Sequence, residues 1–316
     1  MFVWRDDLYV PAADLWLDPG HRKGRAFVSH AHGDHIGRHQ QIYATKATAA
    51  LMRARLGPLQ IHELPFGEWR EVGGGCRLRL HPAGHILGAA QAEIVRGSER
   101  LVYTGDFRLE RSETCEPAAI VPCDQLVMEC TFGRPHYRFP PRAEVVPLIV
   151  ADLREVLASG GTPVLLAYAL GRGQEMMKLL EPYGFELALA PALHAMVKIY
   201  EEQGVRFGPY ELARPGQTRG KVVLVPPHAS TSQLVVQAQR PALIAATGWA
   251  RDGAPPYRAD RSYTLSDHAD FDELLRYVTV ARPREVYTVH GFDEFRDHLR
   301  ERGIFASPVT ARVVAS

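Results

Sequence analysis

Short apolar runs broken by turn residues fill roughly the first 130 positions. "RAFVSH", "CRLRLHPA", "QAEIVR", "RLVYTGD" and "DQLVMEC" read as strands. Two of them alternate apolar with polar residues, the period-two pattern of a sheet with one face buried. One helix interrupts them, "KATAALMRARLG", closed by Gly57. The pattern then changes. "RAEVVPLIVADLREVLASGG" predicts a long helix with Pro147 as a kink and Gly160–Gly161 as its end. After it, apolar strands and amphipathic helices alternate: "TPVLLAY", "GRGQEMMKLLEPYG", "FELALA", "PALHAMVKIYEEQG", "KVVLVPP", "ALIAATGW". That rhythm predicts βαβ units and a parallel sheet. The last unit, "FDELLRYVTVARP", "REVYTVH" and "FDEFRDHLRERG", carries a strand that must dock on another part of the chain. The division is a β-rich first part to about 130, an α/β middle, and a tail from about 262.

Composition narrows the class. Hydrophobic residues make up 46% and charged residues 23% of the 316, enough for a sizeable core. No apolar run approaches the roughly 18 residues that span a bilayer. The start, "MFVWRDDLYVPAADLW", has acids where a signal peptide has basic residues, so a cytoplasmic location is expected and no membrane. Cys76, Cys115, Cys123 and Cys130 show no C-x-x-C spacing, which fits reduced, structural thiols. The net charge of +1 argues against a polycationic coat protein. The basic set is skewed to arginine, which grips phosphate with two parallel hydrogen bonds. A GC-rich genome produces the same skew.

The candidate chemistry sits in "VSHAHGDHIGRH". His30 and His32 lie two apart at a predicted strand end, where period two puts both rings on one face. Asp34 and His35 follow in the turn. H-x-H-x-D-H can therefore present two ligand sets to a pair of metal ions, and imidazole with carboxylate suits Zn or Mn. Two complete sites need more ligands downstream. They appear at strand ends: His85 in "HPAGHILGA", Asp106 in "VYTGDF" and His290 in "VYTVHGF". Asp18, in "LWLDPG", is placed to orient a ligand from behind. His39 reads as a surface or supporting residue. His21, His62, His81, His136, His194, His228 and His298 lack such context.

These motifs resemble the metallo-β-lactamase superfamily: Asp18 matches its first motif, "SHAHGDH" its second, Gly84–His85 its third and "TGDF" its fourth. "MECTFG" around Glu129, "ALGRGQE" at 169–175, "LSDHAD" around His268 and "TVHG" at 288–291 are similar to the β-CASP nucleases within it. That group includes ribonuclease J, the pre-mRNA cleavage endonuclease and the Artemis-like DNA nucleases. "LYVPAADLWLDP" and "SDHADF" look most like the bacterial exonucleases associated with DNA ligase. The resemblance implies an α/β fold, a four-layer αββα sandwich over 1–130 and 262–316, with an α/β β-CASP domain inserted at 131–261. It implies that His30, His32 and His85 bind one metal, that Asp34, His35 and His290 bind the other, and that Asp106 bridges. Glu129 and His268 match β-CASP motifs A and B.

The implied activity is a metal-dependent phosphodiesterase, a DNA exonuclease in repair or end processing, with a two-metal-activated water as nucleophile. Asp34, Asp106, Glu129 and His268 are its catalytic residues, His268 beside Glu129 giving the leaving alkoxide its proton. At the "LGRGQE" turn, Gly171 and Gly173 would let backbone N–H groups approach a phosphate, with Arg172 adding charge. Arg108 is a lesser phosphate candidate, and Phe132, Tyr137 and Trp249 are candidates for stacking on bases. Partners implied are nucleic acid, DNA favoured over RNA, and DNA ligase or helicase repair proteins. A β-CASP ribonuclease is the alternative. His290 sits at the position where RNA-acting members carry histidine and the Artemis-like ones valine. A small-molecule hydrolase would need no inserted domain, and an inert scaffold would have lost ligands.

Overall fold

The computed structural model describes residues 1–253 and 257–312. Its contacts divide the chain into two units, Met1–Pro135 with His268–Ser316, and His136–Asp267.

The first unit holds two sheets. The six-stranded one runs in sequence order: Val3–Arg5, Asp7–Val10, Leu15–Leu17, Arg25–Phe27, Gln41–Ala44 and Ile61–Glu63. The seven-stranded one runs Ala306–Pro308, Glu285–Gly291, Gln125–Cys130, Glu99–Tyr103, Ala90–Arg96, Cys76–Pro82 and Trp69–Gly73. The tail strand that needed a partner lies parallel to Gln125–Cys130, with Leu126 opposite Val286 and Met128 opposite Thr288. One core joins the sheets: Leu8, Val10, Leu15 and Phe27 from the first, Leu78, Leu80, Ile94, Leu101 and Val127 from the second. The alternation in Cys76–Pro82 explains itself here. Cys76, Leu78 and Leu80 are buried in that core, and Arg77, Arg79 and His81 between them are not. Helix Phe271–Ala281 covers the other face, where Tyr277 packs on Phe107 and its hydroxyl donates to Gln91 Oε1 at 2.5 Å.

Gly57 at φ +79° ends helix Lys46–Leu56, as its sequence predicts, and the helix starts where the Thr45 side chain accepts from Thr48 N. The strand predicted in "RAFVSH" is shorter than expected. It stops at Phe27, so His30 and His32 stand on a loop. Period two is therefore not what brings them together.

The second unit is built on a six-stranded, wholly parallel sheet: Tyr210–Leu212, Leu187–Leu189, Val222–Val225, Thr162–Leu166, Pro241–Ala246, Arg261–Tyr263. Each face has its own core. Leu165, Leu189, Leu224 and Ile244 pack with helices Arg142–Ala158, Arg172–Leu180 and Pro191–Glu202. Val164, Leu166, Val223 and Val225 pack with Leu234 and Val235 of helix Gln233–Val236. Burial on both faces is why these strands read as unbroken apolar runs. Pro147 lies inside Arg142–Ala158 without dividing it.

The unit boundaries lie a few residues beyond 130 and 262. Gly133 packs so closely on Phe295 that a Cβ there would lie 2.7 Å from the Phe295 Cβ. His268 bonds to Glu129, which ties the returning chain to the first unit.

Phe27 is fully buried in the core between the sheets. Phe27→Ala is expected to cost about 3–5 kcal/mol, read as a lower urea midpoint for unfolding of the first unit.

Candidate metal centre

Strand ends of both sheets of the first unit supply the site. Asp18 follows Leu15–Leu17, His30 to His35 follow Arg25–Phe27, His85 follows Cys76–Pro82 and Asp106 follows Glu99–Tyr103. Glu129 and His290 stand near the ends of Gln125–Cys130 and Glu285–Gly291. Two glycines let these loops converge. Gly84 has φ +74°, and a Cβ on it would lie 2.2 Å from Arg108 O. Gly105 has φ +55° and lies against the Ser29 side chain, which a Cβ would approach to 2.6 Å.

The first ligand set is tightly gathered. His30 Nε2 lies 3.1 Å from His32 Nδ1, and His85 Nε2 lies 3.0 Å from the same atom. Asp106 Oδ2 is 3.5 Å from His30 Nε2 and 3.9 Å from His85 Nε2. A tetrahedral cation with ligands at about 2.0–2.1 Å has ligand-to-ligand edges of about 3.3 Å, and these spacings bracket that value. An ionised carboxylate only accepts hydrogen bonds. Four polar atoms turned inward with so few protons to share fit a cation.

The second set is more open. His35 Nε2 lies 3.4 Å from Asp106 Oδ2 and 3.6 Å from Asp34 Oδ2. The Asp34 side chain is 79% exposed. His290 is exposed too, in the left-handed region at φ +49°, with its ring 5.9 Å from that of His35. Among the described residues, groups whose donor atoms lie within 4.8 Å of one another include His30, His32, His85 and Asp106, then Asp18, His30 and His35, and also Asp106, Glu129 and His268; Asp34 and His290 belong to none of the groups.

Electrostatics differ between the rings. Burial pushes the His30 pKa well below the ordinary histidine value, with the charge of His35 adding to it. For His35 burial acts the same way, but the carboxylates of Asp106 and Asp18 outweigh it and lift its pKa well above the ordinary value. Burial opposes ionisation of Asp106, yet His35 and then His268 hold it well below the usual carboxylate range.

Beside this cluster, Glu129 is fully buried and saturated. Its Oε1 accepts from Phe107 N at 2.9 Å, its Oε2 from Thr131 Oγ1 at 2.5 Å, and His268 Nδ1 lies 3.0 Å from both oxygens. The His268 ring lies tilted by 55° to that of His85, with centroids 4.7 Å apart. Motif pairing alone brought Glu129 and His268 to notice, and they meet.

The turn at 171–173 does not offer itself to a phosphate. Gly171 N donates to Gln174 Oε1 at 2.7 Å and Gly173 N to Tyr168 O at 2.9 Å. Arg172 is buried, its guanidinium bonded to the carbonyls of Ala246 and Leu265 and to the Asp267 carboxylate. The charge expected to meet substrate is matched inside the second unit. Arg108 is also buried and pairs with Glu110. Of the stacking candidates, Phe132 and Tyr137 are core residues, and Trp249 lies edge-on to Tyr137 at 5.8 Å. His39 is buried as well, its Nδ1 accepting from Lys23 N at 3.2 Å.

Ser29, Tyr103 and Thr131 touch the machinery and went unread in the sequence. The only signal was adjacency: Ser29 precedes His30, and Tyr103 opens "YTGD".

Residues 256–311 match RMMBL, described as a Zn-dependent metallo-hydrolase RNA specificity domain. A "Probable DNA ligase" of Opitutus terrae is 44% identical over 306 residues, covering 95% of this chain but 30% of that protein. "Ribonuclease TTHA0252" of Thermus thermophilus is 30% identical over 194 residues, 52% of this chain and 44% of the relative. "Transcription termination factor FttA" of Methanothermobacter thermautotrophicus is 40% identical over 124 residues, 38% of this chain and 20% of the relative. The fold is the metallo-β-lactamase sandwich with an inserted β-CASP subdomain, and the chain is similar to proteins of that superfamily. The metallo-β-lactamase sandwich is the first unit, and the β-CASP insertion is the parallel sheet of the second. A solved protein of unknown function from Enterococcus faecalis V583 has this fold, with a TM-score of 0.61 at 15% identity over 95% of this chain and 80% of that one. The chain spans less than a third of the length of the ligase-named relative. No helix among the described residues is long and apolar enough to cross a membrane.

Two measurements check this site. The carboxylates of Asp106 and Asp18 outweigh burial and favour the protonated ring of His35 in the metal-free protein. A cation must displace that proton, so Zn binding at neutral pH should release about one proton and weaken as pH falls. Calorimetry in buffers of different ionisation enthalpy reads the count. Arg172→Ala should lower stability by about 3–5 kcal/mol, since it strands the Asp267 carboxylate. It should leave the salt dependence of nucleic-acid binding unchanged, as fluorescence anisotropy would show.

Proposed function

We propose that this chain is a metal-dependent phosphodiesterase that cuts nucleic acid, with RNA as its preferred substrate. The supporting observation is Asp106, whose Oδ2 lies within 3.4–3.9 Å of ligand nitrogens from both sets, His30 and His85 on one side and His35 on the other. A pair of divalent ions, Zn or Mn, fits these residues and when bound supplies the Lewis acidity that ionises water near neutral pH and offsets charge building on phosphate. His30, His32 and His85 would hold one ion, and Asp34, His35 and His290 the other, with Asp106 between. The exposure of Asp34 and His290 leaves the second set on the side a phosphate enters from.

The remaining task is protonation of the leaving alkoxide. Glu129 takes the Nδ1–H of His268 and so fixes the ring. The proton handed over is then the one on Nε2. Because Glu129 is buried and already bonded to Phe107 N and Thr131 Oγ1, it stays put while the ring turns over its proton.

RNA leads for two reasons. The RMMBL match carries RNA specificity in its description, and two relatives are named as a ribonuclease and an RNase J-like protein. The DNA preference expected from the sequence is thus the second reading. One observation favours it: the relative matched over 95% of the chain is named as a DNA ligase. Exonucleolytic action on DNA, and a ligase as partner, belong to that reading.

End-labelled single-stranded RNA and DNA of one sequence, incubated with Zn or Mn, decide between them. Faster RNA cleavage upholds the proposal and faster DNA cleavage replaces it with the second. No cleavage of either removes both. Asp106→Ala should abolish cleavage and the binding of both ions, the latter by elemental analysis. His268→Ala should keep the ions while slowing single-turnover cleavage by about 10²–10⁴-fold.

A further inference from the structure

One buried carboxylate lies behind both ligand sets. Asp18 Oδ1 accepts from Ser29 N at 2.7 Å. Its Oδ2 takes the Ser29 hydroxyl, the Tyr103 hydroxyl at 2.9 Å, and lies 2.8 Å from His35 Nδ1. Four donors for one carboxylate match its roughly four lone-pair directions. Asp18 is itself held in the left-handed region at φ +41°, where its own N–H donates to Phe27 O at 2.9 Å.

The Ser29 hydroxyl has a second neighbour, His30 Nδ1 at 2.9 Å. A hydroxyl has one proton, and a carboxylate can only accept. The Ser29 proton therefore goes to Asp18, and Ser29 Oγ accepts from His30 Nδ1–H. That leaves Nε2 of His30 as the lone pair turned toward His32 and Asp106. On the other side, His35 gives its Nδ1–H directly to the same carboxylate oxygen, which turns its Nε2 toward Asp106 and Asp34. Ser29 is 1% exposed and Gly105 packs against its side chain, so the hydroxyl has no room to turn to water.

We propose that Ser29 is a positioning residue whose hydroxyl extends the hold of Asp18 to His30, so that one acid sets the tautomer of a ligand in each cation set. The two sets are then linked from behind through Asp18 as well as in front through Asp106. Supporting hydrogen bonds of this kind are worth about 10–100-fold in metal affinity. The inference rests on the metal-centre reading above, and its closing experiment separates the two.

In metal-free protein labelled with ¹⁵N-histidine, long-range ¹H–¹⁵N correlation reads each ring's tautomer. Wild type should show His30 with its proton on Nδ1. Ser29→Ala, which only removes the oxygen, should lose that preference at His30 and keep the folded spectrum elsewhere. Competition with a chromophoric chelator should then show one of two Zn ions bound about tenfold or more weaker. Asp18→Asn should weaken both, and adding Ser29→Ala to it should cost little more, because the relay is already cut. If Ser29→Ala leaves the His30 tautomer and both Zn affinities as in wild type, the relay is overturned while the metal centre stands. If wild type binds no Zn, Mn or Co, the metal centre falls and the relay's purpose with it.

Discussion

Imidazole nitrogens crowded around a buried carboxylate oxygen need protons or a cation between them. Around Asp106 Oδ2 the protein collects the nitrogens of His30, His35 and His85, with His32 Nδ1 in contact with two of them. Most of this set is buried, so water cannot relieve it. The remaining architecture of the first unit serves this crowding. Two sheets share one core, and the loops at their strand ends are stapled by side chains behind them. Asp18 fixes the six-stranded side, and the saturated Glu129 fixes the seven-stranded side.

Rigidity behind the site and openness in front of it have different physical sources. The shielded residues, Ser29, Tyr103, Glu129 and Thr131, spend their polar atoms on one another's neighbours. Asp34 and His290 face solvent, and His290 sits in a backbone conformation unusual for a residue with a side chain. A ligand set with one closed and one open half suits a reaction in which a phosphate must enter and leave.

The second unit carries a lesson about charge. Arginine in a glycine-rich turn before a helix resembles a phosphate grip when read as a string. In three dimensions Arg172 is buried against Asp267 and two carbonyls, and the neighbouring glycine N–H groups already have acceptors. Gly173 is small because Leu193 lies where its Cβ would be, at 2.4 Å. Packing, not anion binding, accounts for that motif.

The sequence alone determined the ligand chemistry and the kind of fold. H-x-H-x-D-H with His85, Asp106 and His290 at strand ends, and the switch from alternating strands to continuous apolar ones, are local signals, because periodicity and residue type report burial on one face or two. The same is true of the helix end at Gly57. Tertiary structure decided what those local patterns cannot carry. The strand before His30 stops at Phe27, so the imidazoles converge through loop packing and not through the pleat. Tyr103 acquires a role only because Asp18, distant from it in the chain, delivers its carboxylate there, and Ser29 because the loop folds it onto the same acid. Whether a polar side chain is free or spent depends on partners brought from elsewhere in the chain, and no window of sequence contains them.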